Sequence, residues 1–447
     1  MKPMEARIVK RPLIILAAVP LLVWSIFVLP DVAAAARSPW DWRRPLILLS
    51  GTLALWWMSA GMALAARPPR LERVCGGLDR LYRLHRHIGI GAGLLVFVHW
   101  MLEWLPRNLV RAGVITRPAR GGRPPGTGPE SAWIELAKSV GEWAGYILLA
   151  LVVIALVRRI PYRWFRSLHK FFPLVFIAGA YHGLLLMPAD YWRQPLGWLS
   201  ALVATVGAAA GVQALAGRLG AARRIAARVT AIRRYPDAVV EVVCRPDAAW
   251  PGHRAGQHVL VDFGHAGEGA HPFTIASAWR PERGELTLAI KALGDYTRAL
   301  PGRLLVGQTV SLEGPYGGFT FDAPGDNQIW VAGGIGVTPF IARLQALAAR
   351  GGASARVDFF YSTARARPAA YAADLPALCA AAGVRLHRHE SWRDGRQGDA
   401  AIRACVTAGS SVWFCGPAAW GEQLAASLYA GGVLRRGTFH REWFAFR

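Results

Sequence analysis

The chain has 447 residues, of which 53% are hydrophobic, and a formal net charge of +24 at pH 7. It is long enough for two or three domains and too apolar to be wholly water-soluble. A basic chain suggests nucleic acid as a partner, but many of its arginines lie in short loops between apolar segments, as in membrane proteins. We therefore expect a membrane protein that binds no nucleic acid.

Six apolar segments approach the roughly 17 to 25 residues that a helix needs to cross a bilayer. They lie at 12–30, 46–66, 88–105, 143–157, 171–187 and 197–217, and the fourth is the shortest. Arginines are concentrated in the second and fourth loops, which predicts cytoplasmic termini in a bacterial inner membrane, although the basic third loop breaks this rule. The first segment also resembles a signal peptide, but its apolar run is longer than usual.

The five cysteines form no CxxC pair and no metal-binding spacing. We therefore expect neither a disulfide framework nor an iron–sulfur cluster. This cysteine usage is typical of a soluble part that faces a reducing cytoplasm.

Two of the apolar segments carry histidines in the same local arrangement. Each begins with basic residues and a histidine, His85 or His169, and has a second histidine, His99 or His182, 14 or 13 residues further on. Along a helix these separations amount to about 20 Å. Imidazoles inside a membrane are costly and indicate function, and haem iron accepts imidazole as an axial ligand. We expect His85 and His169 to bind an inner haem, and His99 and His182 an outer one.

Helical phase supports this assignment in part. Fourteen residues bring His99 to within about 40° of the face of His85, whereas the competing ligand His87 is about 120° away. Thirteen residues leave His169 and His182 about 140° apart in an ideal helix, so we expect Pro173 to kink or unwind it. A lone histidine of this kind is more often an ordinary hydrogen-bonded side chain, but matched pairs favour haem.

The second half of the chain has the pattern of a soluble protein. From Ala222 to about Phe321, short alternating strands are separated by turns, which predicts a small antiparallel barrel. Beyond it, a buried strand leads through glycines into a helix, which predicts a nucleotide-binding α/β domain. We expect domains at 1–217, 218–322 and 323–447. The remaining histidines show no pairing pattern and are expected to be surface or strand residues: His253, His258, His265, His387, His389 and His440.

Four motifs, RAGQHV, HPFTIAS, KALGDYT and GPYGGF, follow in the order found in ferredoxin reductase-like flavoproteins. With the six apolar segments and the histidine pairs, they make nearly the whole chain resemble the ferric reductase and NADPH oxidase superfamily, particularly bacterial predicted ferric reductases. The resemblance implies a six-helix transmembrane haem-binding bundle, then an antiparallel β-barrel FAD domain and an α/β Rossmann-like NAD(P)-binding domain.

The motif HPFTIAS is similar to the FAD motif of this superfamily, although soluble members often have arginine where His271 stands. Read without the family, HPFT would be only an edge strand with a proline. An aromatic residue near the C-terminus covers the flavin in the family; Phe444 matches it, and Trp443 and Phe446 are alternatives. The implied FAD contacts are His271, Pro272, Phe273, Thr274, Lys291, Gly294, Thr297 and Phe444.

The motif GGIGVTP differs from GxGxxG and resembles the GGxGxTP motif of the superfamily. Its glycines allow close approach to a pyrophosphate, while Thr338 is expected to cap the following helix and Pro339 suits its first turn. Ser362 and Arg365 would favour NADPH over NADH, and VWFCGP resembles the motif beside the nicotinamide. The implied NAD(P) contacts are Gly333, Gly334, Gly336, Thr338, Pro339, Ser362, Arg365, Cys415, Gly416 and Pro417.

The resemblance implies a flavocytochrome oxidoreductase that moves electrons from cytoplasmic NAD(P)H through FAD and two b-type haems to an acceptor across the membrane. Oxygen, giving superoxide, or ferric ion is the expected acceptor, and a quinone or a periplasmic protein is an alternative. No acid–base catalyst is required. A membrane-anchored flavin reductase without haem is the other class of function considered, in which the histidines serve proton movement or packing. A nonenzymatic adaptor is disfavoured because the cofactor motifs are intact.

Overall fold

The computed structural model describes residues 3–116, 129–157, 159–247, 249–265, 268–323, 327–364, 372–395, 397–435 and 437–442. The chain divides into two compact units, Met1–Cys75 with Arg80–Leu219, and Gly76–Asp79 with Gly220–Arg447. The first unit is helical, and the second contains two β-sheets.

The membrane unit consists of α-helices, whose backbone hydrogen bonds are made within each helix, as a bilayer requires. They are α1 Pro3–Phe27, α2 Leu29–Ala35, α3 Arg43–Ala65, α4 Pro69–Cys75, α5 Leu78–Arg111, α6 Pro129–Leu156, α7 Tyr162–His169, α8 Phe172–Leu185, α9 Ala189–Trp192 and α10 Pro195–Leu215.

Six helical segments among the described residues are long and apolar enough to cross a membrane, as predicted. The fourth is longer than its apolar run indicated, because the first turns of α6 carry Glu135, Lys138 and Glu142. The interruption expected near Pro173 is also present, since α7 ends at His169 and α8 begins at Phe172. The six candidate spans are Lys10–Phe27, Pro39–Ala65, Leu78–Arg111, Ala132–Leu156, Trp164–Leu185 and Pro195–Leu215.

Small residues let the helices of this unit approach one another closely. Helix α10 lies against α3 and α8, and α8 also lies against α6. A Cβ on Gly207 of α10 would come within 2.9 Å of Cα of Ser59 and 2.6 Å of the ring of Phe176. Glycine at this position therefore sets the distance between α10 and its two neighbours.

Six antiparallel strands begin the second unit. They are β1 Arg224–Tyr235, β2 Val239–Pro246, β3 His258–Asp262, β4 His271–Thr274, β5 Leu286–Lys291 and β6 Thr309–Tyr316, with the short helix α11 Asp295–Ala299 after β5. Their order in the sheet is β4-β3-β6-β1-β2-β5. A bridge between Ile275 and Leu288 joins the segment after β4 to β5 and closes the sheet on itself, as expected for a small barrel. Alternate residues such as Val229, Val242 and Val259 are fully buried inside it.

A five-stranded parallel sheet with helices follows. Its elements are β7 Asn327–Gly333, α12 Thr338–Ala348, β8 Arg356–Thr363, α13 Leu375–Ala381, β9 Arg385–Glu390, α14 Ser391–Asp394, α15 Ala400–Cys405, β10 Ser411–Cys415, α16 Ala418–Ala430 and β11 Phe439–Arg441. The strand order is β11-β10-β7-β8-β9. Because parallel strands end at the same edge of a sheet, Gly333, Ser362 and Cys415 lie at one edge, where such folds bind ligands.

Candidate functional site

Two of the membrane-embedded histidines face each other across α5 and α8. The ring centres of His99 and His182 are 6.3 Å apart, and their planes are nearly perpendicular at 87°. Nδ1 of His99 lies 2.9 Å from the carbonyl oxygen of Ile47, and Nδ1 of His182 lies 2.8 Å from that of Ala137. A carbonyl only accepts, so each Nδ1 carries the proton and each Nε2 keeps its lone pair.

A second pair joins α5 to the end of α7. The ring centres of His85 and His169 are 6.0 Å apart at 76°, and Nδ1 of His85 lies 3.0 Å from the carbonyl oxygen of Gly61. The competing His87 instead places Nδ1 2.7 Å from the carbonyl oxygen of Arg83 on its own helix. The structure thus brings His85, and not His87, to His169.

The spacing of both pairs suits a metal ion between the rings. Two imidazole–metal bonds of about 2 Å each, together with the radii of two rings, separate ring centres by about 6 Å. The hydrogen bonds from Nδ1 at His85, His99 and His182 leave Nε2 able to bind a metal ion, and a hydrogen bond from the other ring nitrogen is usual in metal-bound histidine. Nδ1 of His169 is buried and has no hydrogen-bond partner among the described residues.

The outer pair lies in a cavity of about 850 Å³ within the membrane unit. Its lining includes apolar residues such as Met58 and Phe176 and the charged residues Arg43, Glu103 and Lys138. Arg43 donates to the carbonyl oxygen of Leu102 and to the carboxylate of Glu103, one helical turn beyond His99. The cavity has the size of a cofactor site and a wall with charged groups.

Two glycines make room for the outer imidazoles. A Cβ on Gly51 would come within 3.0 Å of the ring of His99, and one on Gly141 within 2.0 Å of Nδ1 of His182. The sequence analysis did not identify either residue. The glycines among the apolar residues of the spans are a signal, but periodicity alone does not show which of them faces a histidine.

The FAD motif residues gather at β4 and β5 of the barrel. His271 stacks on Tyr296, with ring centres 3.9 Å apart, and Phe273 is buried, as is Thr274, whose hydroxyl lies 3.5 Å from Oε2 of Glu442. Pro272 pairs with Leu260 of β3. The sequence analysis did not predict that Tyr296 stacks on His271, although Tyr296 lies in the KALGDYT motif.

The other predicted FAD residues lie around the start of α11. The hydroxyl of Thr297 accepts from the backbone N–H groups of Leu293 and Gly294, both at 3.0 Å, so it stabilises this turn. A Cβ on Gly294 would meet nothing within 4 Å. Nζ of Lys291 lies 4.0 Å from the position of a Cβ on Gly334, so Lys291 points towards the nucleotide glycines. Phe444, Trp443 and Phe446 lie outside the described residues.

The glycine motif and the CGP motif pack against each other at the ends of β7 and β10. A Cβ on Gly336 would lie 2.2 Å from the carbonyl oxygen of Cys415, and one on Gly333 would lie 2.8 Å from the ring of Pro417. Gly334 has a φ of +57°, and a Cβ on Gly416 would lie 3.1 Å from the backbone N of Gly333. These glycines are therefore required by packing as well as by any nucleotide.

One predicted role in this motif was wrong. Thr338 does not cap α12: the cap position is Val337, which makes no side-chain hydrogen bond, and Thr338 is the first helical residue. The physical reason is the 3₁₀ turn Gly334–Val337, which leads directly into the helix. Pro339 does lie in the first turn, as expected.

The remaining predicted nucleotide contacts are only partly described. Ser362 is the last but one residue of β8, with its hydroxyl 3.3 Å from that of Ser391, and Arg365 lies outside the described residues. Cys415 is fully buried, and its burial, together with the nearby charge of Glu442, raises the pKa of the thiol well above its usual value. Cys415 is therefore a neutral thiol that packs.

Two of the histidines expected to be surface or strand residues, His258 and His387, lie in strands and pair with carboxylates. His258 is 3% exposed and its Nδ1 lies 3.1 Å from Oε1 of Glu442. Nε2 of His387 donates to the buried carboxylate of Asp358 at 2.9 Å, and this carboxylate also accepts from Arg356 and lies near Cys405. Because Arg356 already binds the carboxylate of Asp358, we interpret Arg356, Asp358 and His387 as an ion-pair network. Strand periodicity predicts only which face of the sheet such a side chain points to, and not which residue it pairs with.

Comparison with known proteins identifies both halves of the chain. The family described as "Ferric reductase like transmembrane component" matches residues 50–180, and the family described as "FAD-binding domain" matches residues 224–320. These matches include three of the four paired histidines, His85, His99 and His169, and the barrel that carries the FAD motif; His182 lies two residues beyond the first match.

Individual relatives match shorter parts. Ferric reduction oxidase 4 of Arabidopsis thaliana is 41% identical over 81 residues, which are 17% of this chain and 12% of that protein. Vanillate O-demethylase oxidoreductase of a Pseudomonas species is 29% identical over 150 residues, 33% of this chain and 46% of that protein. Among solved structures, the flavohemoglobin of Malassezia yamatoensis is 17% identical with a TM-score of 0.48, covering 90% of this chain and 98% of that one.

The chain thus spans less than half of the length of these curated relatives. The resemblance stated from the sequence is nevertheless confirmed by the two family matches. The chain carries a ferric reductase-like transmembrane component at residues 50–180, followed by an FAD-binding domain at residues 224–320.

Proposed function

We propose that this protein is a transmembrane oxidoreductase that passes electrons from NAD(P)H through FAD and two b-type haems to an acceptor on the other side of the membrane. The observation that carries the proposal is the pair of imidazole pairs, with ring centres 6.0 and 6.3 Å apart. A transporter or a simple anchor has no need for two such pairs at metal-binding separation.

The four histidines would hold the haems, whose iron supplies one-electron transfer when bound. Hydrogen bonds from Nδ1 to the carbonyl oxygens of Gly61, Ile47 and Ala137 keep the rings in the required tautomer and increase the basicity of Nε2. The two histidines of α5 are 14 residues apart, about 20 Å along the helix. Helix α5 would therefore supply one haem ligand in each leaflet of the membrane.

The second unit would bind the two-electron donor and the flavin. The pyrophosphate would lie at the glycine turn Gly333–Gly336, where a Cβ on Gly334 would meet no atom nearer than Nζ of Lys291 at 4.0 Å, and Lys291 adds a positive charge there. FAD accepts a hydride and releases electrons singly, which joins a two-electron donor to one-electron carriers. The protein residues bind and orient these groups.

The terminal acceptor would approach the outer haem at the charged part of the lining of this cavity. That lining includes the cationic residues Arg43, Arg107 and Lys138 and the acidic residues Glu103 and Glu142. We propose oxygen or a ferric ion as the acceptor, with a quinone or a periplasmic protein as alternatives. We further propose that the protein lies in a bacterial inner membrane with the second unit in the cytoplasm, because arginines fill the second and fourth loops.

An anaerobic visible spectrum of the purified protein tests the proposal. We expect haem bands that sharpen on addition of NADPH, and a weaker haem signal in His99→Ala. His87→Ala is the matched control, because His87 lies on the same helix but bonds its own backbone. Flavin bleaching without haem absorption, in protein made with ample haem, would instead establish a membrane-anchored flavin reductase.

A further inference from the structure

An acidic side chain lies at the depth of the outer histidine pair. Glu142 is in the candidate span Ala132–Leu156 and directly follows Gly141, the glycine that makes room for the ring of His182. Its side chain is exposed, and among the described residues the hydroxyl of Tyr146 is the group that donates to its carboxylate, at 2.9 Å. An ionisable group inside a membrane is costly and indicates a function.

Aromatic rings lead from this carboxylate to the outer pair. Trp100, Trp104 and Tyr146 line the cavity that contains His99. Trp100 stacks on Trp104, with ring centres 5.4 Å apart, and its ring centre lies 6.3 Å from that of Tyr146. Trp104 and Tyr146 are also 43% and 38% exposed at the outside of the helices. A flat apolar molecule in the bilayer can therefore reach the cavity between α5 and α6 and stack on these rings.

A belt of aromatic residues at the membrane interface is the ordinary explanation of such rings. It accounts for Trp143, which is 65% exposed on α6 and lies outside the cavity lining in the described part of the chain. It does not account for a carboxyl group at the depth of His182, or for the hydrogen bond from Tyr146 to that group within the lining of the cavity. The pair Glu142 and Tyr146 is therefore better explained by chemistry at the cavity.

The need for protons distinguishes the candidate acceptors. Reduction of oxygen to superoxide, or of a ferric to a ferrous ion, takes one electron and no proton. Reduction of a quinone to a quinol takes two electrons and two protons. A carboxyl group hydrogen-bonded to a phenol is suited to supply those protons, one with each electron.

We propose that the acceptor is a lipid-soluble quinone, which binds between α5 and α6 on the rings of Trp100 and Trp104 and receives its protons from Glu142 through Tyr146. The inference rests on the proposed function and narrows its acceptor to a class named there as an alternative. As each electron arrives from the outer pair, the O–H bond of Tyr146 breaks and an O–H bond forms on a quinone oxygen. Glu142 then returns a proton to Tyr146 and takes one from water on the outer side.

Two such steps complete one quinol. Both electrons come from one NAD(P)H, which becomes NAD(P)⁺ and leaves its own proton on the flavin side. Both protons of the quinol come from water on the outer side. The quinol, which is uncharged, leaves into the bilayer by the route between α5 and α6.

Anaerobic stopped-flow spectroscopy of the full-length protein with FAD and haem, in lipid nanodiscs free of quinone, tests this reaction. The haem is first reduced with one equivalent of NADPH. It is then mixed with decylubiquinone or menadione, which represent two classes of quinone ring, or with ferricyanide, which takes an electron without a proton. We expect at least one of the quinones to reoxidise the haem, with one quinol formed for each NADPH.

Substitutions of the proton donors distinguish quinone reduction from electron transfer alone. Glu142→Gln and Tyr146→Phe should each slow reoxidation by the quinone about tenfold or more and leave reoxidation by ferricyanide within about twofold. Glu135→Gln is the matched control, because this carboxyl group lies two turns earlier on α6 and outside the described lining of the cavity. It should leave both rates within about twofold. Tyr146→Phe also serves if Glu142→Gln does not fold.

Binding of decylubiquinone and of menadione to the oxidised protein, measured by isothermal titration calorimetry, tests the same site without turnover. We expect Trp104→Leu to weaken binding of the reactive quinone about fivefold, because a stacking ring is lost. Trp143→Leu removes a lipid-facing ring outside the cavity and should leave the affinity unchanged. Equal effects of these two substitutions would overturn the inference.

Two kinetic results would also overturn it. One is haem that NADPH reduces but neither quinone reoxidises. The other is equal slowing of quinone and ferricyanide in Glu142→Gln and Tyr146→Phe, which would mean that these residues act on the haem and not on the quinone. Haem that dithionite reduces and NADPH does not would instead overturn the proposed function, while the binding titration still tests the quinone site.

Discussion

Glycines decide whether the outer histidine pair can form. Gly51 and Gly141 lie where a methyl group would overlap the rings of His99 and His182. The same rings need a backbone carbonyl at hydrogen-bond distance, so helix and imidazole must approach closely. The imidazoles were predictable from the sequence as isolated polar residues in apolar segments, but their glycine partners lie on other helices, and no local pattern reveals them.

The first prediction concerns Gly141→Ala. The new Cβ would lie 2.0 Å from Nδ1 of His182, so the ring must rotate and lose its bond to Ala137. We expect loss of the outer haem, and therefore about half of the native haem content, measured as haem per protein. Gly145→Ala, one turn further along α6, is the control, because its nearest neighbour is 4.0 Å away. Full haem in Gly141→Ala would show that His182 is not a ligand.

Gly294 provides a second prediction, which separates folding from cofactor binding. A Cβ there meets nothing within 4 Å, and its φ of −130° suits any residue. Gly294→Ala should therefore change the free energy of unfolding by no more than about 0.5 kcal/mol. If a phosphate of FAD approaches this backbone, the methyl group should weaken FAD binding about tenfold, or about 1.4 kcal/mol. Equilibrium titration of FAD-depleted protein measures this, and unchanged affinity would place the phosphates elsewhere.

At the scale of elements, local patterns predicted which segments are helices and strands, and side-chain networks determined how some of them pair. The break between α7 and α8 followed from the phase of His169 and His182 and the position of Pro173. The pairing of β8 with β9 did not follow from any motif. It includes Asp358, which is fully buried between His387 at 2.9 Å, Arg356 at 2.9 Å and Arg385 at 3.6 Å.

The network around Asp358 makes stability depend on pH. Burial alone would raise the pKa of Asp358, but hydrogen bonds from His387 and Arg356 and the charge of Arg385 outweigh it and lower this pKa. A carboxylate with a lowered pKa stabilises the fold above its unfolded pKa of about 3.9, and this contribution is lost as the pH falls. We expect Asp358→Asn to cost about 2 kcal/mol near pH 7.

Thermal unfolding of Asp358→Asn and native protein at several pH values measures this contribution. The difference between the two melting temperatures should shrink as the pH falls below about 4, because the native carboxylate is then protonated too. Arg385→Gln, which removes the most distant of the three partners, should have the smaller effect. A difference in melting temperature that is independent of pH would mean that packing, rather than the charge of Asp358, stabilises this site.

At the scale of the whole molecule, the chain combines parts that sequence reasoning identified separately. The cofactor motifs and the two histidines of each helix were predictable, because each depends on a local pattern, and the matching spacings of 14 and 13 residues suggested how the histidines pair. The contact of His258 with Glu442 was not, because 184 residues separate them. Long-range contacts of this kind depend on the register of whole sheets, which a motif does not specify.

The order of the carriers gives the last prediction. If electrons pass from the flavin to the inner pair and then to the outer pair, breaking either pair should stop them at a different point. In His85→Ala, NADPH should bleach the flavin while the remaining haem stays oxidised, although dithionite reduces it. In His182→Ala, NADPH should reduce the remaining haem, but reduction of the external acceptor should stop. His85 and His182 belong to different pairs, whose ring centres are separated by similar distances, 6.0 and 6.3 Å. Each variant is therefore the control for the other. The reverse pattern would place the flavin at the His99–His182 end and would require the opposite membrane orientation.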